Sequence, residues 1–252
     1  MRQRILIFFL CWILSTVAFT SITPAAEPSQ VDFSFGTASP PDTFTHKYQK
    51  VLLTEAFKRN GLQLHVIYIP NLKEMTSQVN QMILDGDVHR VGSLTGRDGY
   101  PGYVRINFST HTLEWGAYAC SPLPVKGWKS LSTLGMTVGY RKGNFISKKN
   151  LTGTVPPRFL HEFQTQLDGF KALAAGEIAV FVMANQYTAQ EFLCSKQFSD
   201  SGIRLLCVLS KKNMYAYFSK KHAALAPRIA KTLKNMKQQG FFEKTLLKIM
   251  GQ

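Results

Sequence analysis

The feature that most constrains this chain is a repeated order of strand, helix, glycine and strand. Val31, Phe33 and Phe35 alternate with Asp32 and Ser34 at the period of a half-buried strand, and Gly36, Pro40 and Pro41 break it. Residues 48–60 carry Val51, Leu52, Ala56 and Phe57 at helical spacing, with Gly61 as the stop. Residues 62–69 are strand-like and end at Pro70, residues 73–84 read as a helix stopped by Gly86, and residues 88–94 as a third strand. Strands separated by helices and short connections become parallel neighbours, because a parallel pair needs a crossover and the helix supplies it. The predicted fold class is therefore α/β.

The pattern restarts after the proline-marked stretch Ser121-Pro122-Leu123-Pro124. Residues 136–140 read as a strand, 163–175 as a helix closed by Gly176, 178–183 as a buried strand, 186–194 as a helix, and 204–209 and 214–219 as two further strands. Two amphipathic helices close the chain: 225–236 with Leu225, Ile229, Leu233 and Met236 on one face, then Phe241–Met250 beyond Gly240. There is no internal repeat.

The chain opens with Met1, Arg2 and Arg4 before an apolar run that ends near Phe19, and small residues follow at Thr23, Ala25 and Ala26. This is the layout of a cleaved secretory signal peptide, and the run falls short of the roughly 20 residues that span a bilayer. The expected product of cleavage after residue 26 is a soluble periplasmic protein. Without Arg2 and Arg4, 28 basic residues stand against 15 acidic ones, a net +13 that favours anionic partners. The basic residues fall in short scattered clusters with no nucleic-acid-binding motif, so nucleic acid is not an expected partner.

Three segments carry a family resemblance. Residues 214–251, reading MYAYFSKKHAALAPRIAKTLKNMKQQGFFEKTLLKIMG, pair a strand and a Ser-Lys-Lys turn with a helix, a glycine break and a last short helix. Residues 167–183, LDGFKALAAGEIAVFVM, pair a helix and glycine turn with a buried strand, and residues 48–61 with 83–91 do the same earlier. In that order they resemble the type II periplasmic solute-binding family, in the branch that serves amino-acid uptake by ABC-type permeases. The resemblance implies two lobes joined by two hinge-crossing strands. Lobe one would hold residues 27–118 and 216–252, and lobe two residues 119–215.

Ligands of open α/β sheets bind beyond the carboxyl ends of the strands. This directs attention to Thr37, Thr95 and Arg97 in the first lobe and to Lys142 and Asn144 in the second. The resemblance implies that Arg97 grips a ligand carboxylate through a two-pronged hydrogen bond. Arg105 is the alternative arginine, with an outward strand position as its plain role. Tyr68, Tyr100 and Trp115 are candidate aromatic walls. The family's amino-acid binders place an acid after the buried strand of lobe two, whereas this chain has Ala184-Asn185-Gln186, so Asn185 is either a ligand contact or a helix cap.

Cys120, Cys194 and Cys207 follow the signal segment; a Cys194–Cys207 disulfide and three unpaired thiols are both compatible with their positions. The six histidines show no metal-ligand spacing, and there is no nucleophile elbow or phosphate loop. The expectation is a monomeric binding protein without cofactor or catalytic chemistry, its partners being a small-molecule ligand and a membrane permease. A module reporting to a membrane sensor is the second reading, and a small enzyme on the same fold the third.

Overall fold

The computed structural model describes residues 31–251 apart from Ser93, Thr95 and Gly96. The signal-peptide reading of residues 1–26 and the candidate Thr95 lie outside the described residues.

The first lobe is built on β1 (Val31–Thr37), α1 (Phe44–Lys58), β2 (Leu62–Tyr68), α2 (Leu72–Asn80), β3 (Gly86–Val91) and the short β4 (Tyr103–Arg105). β1 runs parallel to both β2 and β3, as strand–helix–strand alternation requires. Thr43 caps α1 by accepting from the His46 N–H, and Asn71 caps α2 by accepting from Lys73 and Glu74. Phe33, Phe57, Val88 and Phe218 form the core on one face of this sheet, while Met75, Val79, Tyr103 and Tyr217 fill the other.

β5 (His111–Ala119) leads into the second lobe, which adds β6 (Val138–Arg141), α3 (Phe145–Leu151), β7 (Leu160–Phe163), α4 (Gln166–Ala174), β8 (Val180–Ala184) and α5 (Gln186–Leu193). Here β6 is parallel to β7 and β8. The run through β8 is apolar throughout because both of its faces are covered: Phe181 and Met183 enter one core, Val180 and Val182 the other.

β9 (Arg204–Ser219) returns the chain, and α6 (Ala226–Gln238) and α7 (Phe241–Met250) close it. Ile229, Leu233, Met236 and Phe242 of these helices join Leu52, Leu53 and Phe57 of α1 in the first lobe's core. β9 pairs antiparallel with β5 along its first part and with β3 and β4 along its last. The crossing strands β5 and β9 thus link the two lobes into one nine-stranded hydrogen-bonded sheet, in the order β2-β1-β3-β9-β5-β8-β6-β7 with β4 on β9. The lobes are distinguished by separate cores, not by a break in the ladder.

Two local readings are corrected, and the open choice at the cysteines is decided. The two strands expected at 204–209 and 214–219 are one 16-residue strand. Lys211 and Lys212 masked the continuity; Lys211 lies opposite Glu114 in the ladder and its Nζ is 2.5 Å from that carboxylate. The helix expected from residue 163 begins only at Gln166, because Phe163 ends β7 and Thr165 caps α4. The Cys194–Cys207 bridge is not made, and all three described cysteines are free. Cys207 packs with Val180 and Val182 on one face of the sheet, whereas α5, which ends at Cys194, covers the opposite face through Phe192 and Leu193.

Candidate functional site

A cleft of about 700 Å³ opens where the carboxyl ends of β3 and β6 face each other across β5 and β9. Its size suits a small organic molecule. Leu72 and Met75 of α2 form part of the first lobe's wall, and Phe145 and Ile146 of α3 part of the second's. Trp115, Leu113, Lys212 and Tyr215 come from the crossing strands.

The loop after β3 is held from beneath. Tyr217 Oη donates to the Val91 carbonyl at 2.7 Å and accepts from the Leu94 N–H at 3.4 Å. From there the chain turns through hydrogen bonds from Arg97 N to Leu94 O and from Tyr100 N to Arg97 O. This turn sets Arg97, exposed, and Tyr100, half-buried, on the cleft rim. On the opposite side, Asn144 caps α3 by accepting from the Ser147 N–H, and the same Oδ1 accepts from Trp115 Nε1 at 3.2 Å. Cap, ring and helix start are thereby locked together at the hinge.

Of the candidate residues, the structure brings Arg97, Tyr100, Trp115 and Asn144 to the cleft. Thr37, Tyr68, Lys142 and Asn185 line no part of it. Thr37 is fully buried at the end of β1, where its Oγ1 accepts from the Ser39 N–H. Tyr68 ends β2, the outermost strand, at the sheet edge. Lys142 sits on an exposed turn, and its neighbour Arg141 lines the cleft instead. Asn185 caps α5 by accepting from the Tyr187 N–H, and its Nδ2 donates to Thr45 Oγ1 of α1 at 2.8 Å. Arg105 keeps to the strand: its guanidinium donates to the Gly92 carbonyl and covers the Tyr215 ring at 4.8 Å.

Sequence reasoning overlooked Arg90, whose side chain is largely buried in the cleft wall. Its Nε donates to Asp87 Oδ2 at 2.6 Å and its Nη2 to Thr76 Oγ1 at 3.0 Å; Tyr103 Oη also donates to Asp87. In a regular strand, residues three apart face opposite ways. Here β3 bulges between Asp87 and Arg90 against β9, and the extra residue brings the arginine back to the aspartate's side. The signal in the sequence was an arginine three residues after an aspartate within a strand of otherwise buried character.

His89, on the same bulge, also faces the cleft. Its ring centroid is 5.8 Å from that of His111. Burial lowers the His89 pKa to about 4, with Arg90 and His46 adding to the effect against the pull of Asp87. Burial likewise lowers His111 to about 3, with His89 adding. Among the described residues, no group of three or more His, Cys, Asp or Glu is arranged to hold a metal ion. No described helix is long and apolar enough to cross a membrane.

No family model matches the chain. An uncharacterized protein of Shewanella oneidensis is 24% identical over 211 residues, which cover 81% of this chain and 76% of that one. Among solved structures, the arginine-, lysine-, histidine-binding protein ArtJ of Geobacillus stearothermophilus superposes with a TM-score of 0.60 at 16% identity, over 89% of this chain and 96% of that one. The fold is that of the type II solute-binding proteins. The same two-lobed arrangement appears in a histidine kinase sensor domain described as similar to periplasmic binding proteins, with a TM-score of 0.62 at 16% identity over 88% of this chain and 96% of that one.

Proposed function

We propose that the chain is an exported solute-binding receptor that closes its two lobes on a small ligand bearing an anionic group and delivers it to an ABC-type membrane permease. The observation that carries this reading is Arg97, exposed on the rim of the interlobe cleft at the end of a turn fixed from below by Tyr217. A guanidinium so placed offers the planar fork that matches a carboxylate, and hinge closure around a ligand is the usual motion of two such lobes. The proposed domain boundary at residues 118/119 and 215/216 lies within a few residues of the change of core along β5 and β9, where Ala117 and Tyr118 pack with the second lobe and Tyr215 with the first.

The likeness to a histidine kinase sensor domain favours a second reading, in which the same ligand-driven closure is reported to a membrane sensor. Ligand-dependent stimulation of a reconstituted permease, against ligand-dependent kinase activity, separates the two.

A thermal-shift screen of the purified protein against amino acids, organic acids and polyamines tests the reading, since a cleft ligand raises Tm by mass action. Arg97→Ala is expected to abolish the shift while leaving the unliganded Tm within about 1–2 °C, because an exposed rim residue contributes little to the fold. A shift that survives the substitution removes Arg97 from the site.

A further inference from the structure

The charge of the cleft is one-sided. Arg97 comes from the first lobe, Arg141 from the second and Lys212 from the hinge, with Arg90 behind them in the wall. Among the described residues, no aspartate or glutamate lines it. Glu74, Asp87, Asp98 and Glu114 lie within two residues of the lining in the chain, and none lines the cleft: Asp87 is 1% exposed and bonded to Arg90 and Tyr103, Glu114 pairs with Lys211, Glu74 accepts from Gln78 Nε2, and Asp98 is exposed beyond Arg97 in the turn.

An ammonium group entering this cleft loses water, meets no carboxylate and faces cations from both lobes. An anion experiences the reverse. It also offsets the mutual repulsion of Arg97, Arg141 and Lys212, which otherwise grows as the lobes approach.

Beside His89, Asn144 and Asn213, much of the remaining lining is apolar. Phe145, at the start of α3, is 74% exposed, yet it lines the cleft beside Ile146 and across from Leu72 and Met75. A phenyl ring that exposed at the mouth of a site gains by burial against an apolar guest, because its surface leaves water.

We propose that the ligand of this cleft is a carboxylate with an apolar body and no ammonium group. The inference rests on the receptor reading above and deepens it by naming the ligand class. It also separates this chain from a neighbour named for binding arginine, lysine and histidine.

Calorimetric titration of the purified protein with four matched probes tests it. These are 3-phenylpropionate, phenylalanine, phenethylamine and glutarate, which vary the ammonium, the carboxylate and the apolar body in turn. The expected order is 3-phenylpropionate at least tenfold tighter than phenylalanine or glutarate, with no heat from phenethylamine. Phe145→Ala is expected to weaken 3-phenylpropionate at least fivefold, and raising the salt to weaken it further. Phenylalanine binding as tightly as 3-phenylpropionate, with dependence on Arg97, overturns the inference and leaves the receptor reading standing. Tighter binding of glutarate overturns the apolar body. Absence of heat from every probe overturns the ligand class, while the broader amino-acid, organic-acid and polyamine screen decides the receptor reading separately.

Discussion

His89 and His111 are imidazoles held neutral at the hinge. Both are lowered by burial, to about 4 and about 3, whereas the unfolded chain protonates them near 6.5. As pH falls below 6.5 the unfolded chain therefore takes up protons that the folded chain refuses, and stability declines until the folded pKa is reached. Above 6.5 neither state is protonated and the effect vanishes. Urea midpoints between pH 7.5 and 4.5 are expected to fall on acidification, and His89→Gln to make that fall shallower by up to about 1.4 kcal/mol per pH unit. Parallel curves for the two proteins would refute the assignment. Asp85 does not confuse the window: burial pushes its carboxyl up, but the stronger combined pull of Lys221, the Ser34 N–H and His222 lowers it from 3.8, so its contribution is lost only at lower pH.

At the scale of the element, the bulge in β3 is the decisive irregularity. It places a buried ion pair in the cleft wall, with Asp87 1% and Arg90 9% exposed. Removing one member of such a pair strands the other in a medium that solvates it poorly. Asp87→Ala is expected to cost about 3–5 kcal/mol in chemical denaturation. The double replacement Asp87→Leu with Arg90→Met is expected to recover most of that, because apolar residues of similar volume need no counter-charge. Additive losses in the double variant would show that the pair is not coupled. The neighbouring Gly86 fits the same close approach of β3 and β9, since a Cβ there would lie 2.3 Å from the Tyr217 carbonyl oxygen. The alternation of apolar residues made the strand legible, but a bulge depends on how its partner strand pairs, and the partner lies more than a hundred residues away.

For the whole molecule, the two lobes touch on the flank where α1 meets α5. Phe44 and Tyr187 stack with ring centroids 4.1 Å apart, and Asn185 donates to Thr45. A net hydrogen bond is worth about 1 kcal/mol, enough to shift an opening equilibrium about fivefold. Thr45→Val keeps the shape and removes the acceptor. With probes on α1 and α4, the ligand-free variant is expected to show a larger population of long interlobe distances than the parent, read by pulsed electron resonance. An identical distance distribution would mean that the contact does not hold the lobes.

The sequence alone determined most of the elements and their order, though not β5, α3 or β7, because hydrophobic period, helix stops at Gly61 and Gly176, and a cap such as Asn185 are local properties of neighbouring residues. It also brought Arg97, Tyr100, Trp115 and Asn144 into view, since strand ends and loop positions follow from that order. It did not yield Arg90, Arg141, Lys212 or Phe145, nor the joining of two expected strands into β9. Those depend on which faces the two lobes turn toward each other and on where one strand slips against another. Such relations arise only when distant segments pair, and no local pattern records them.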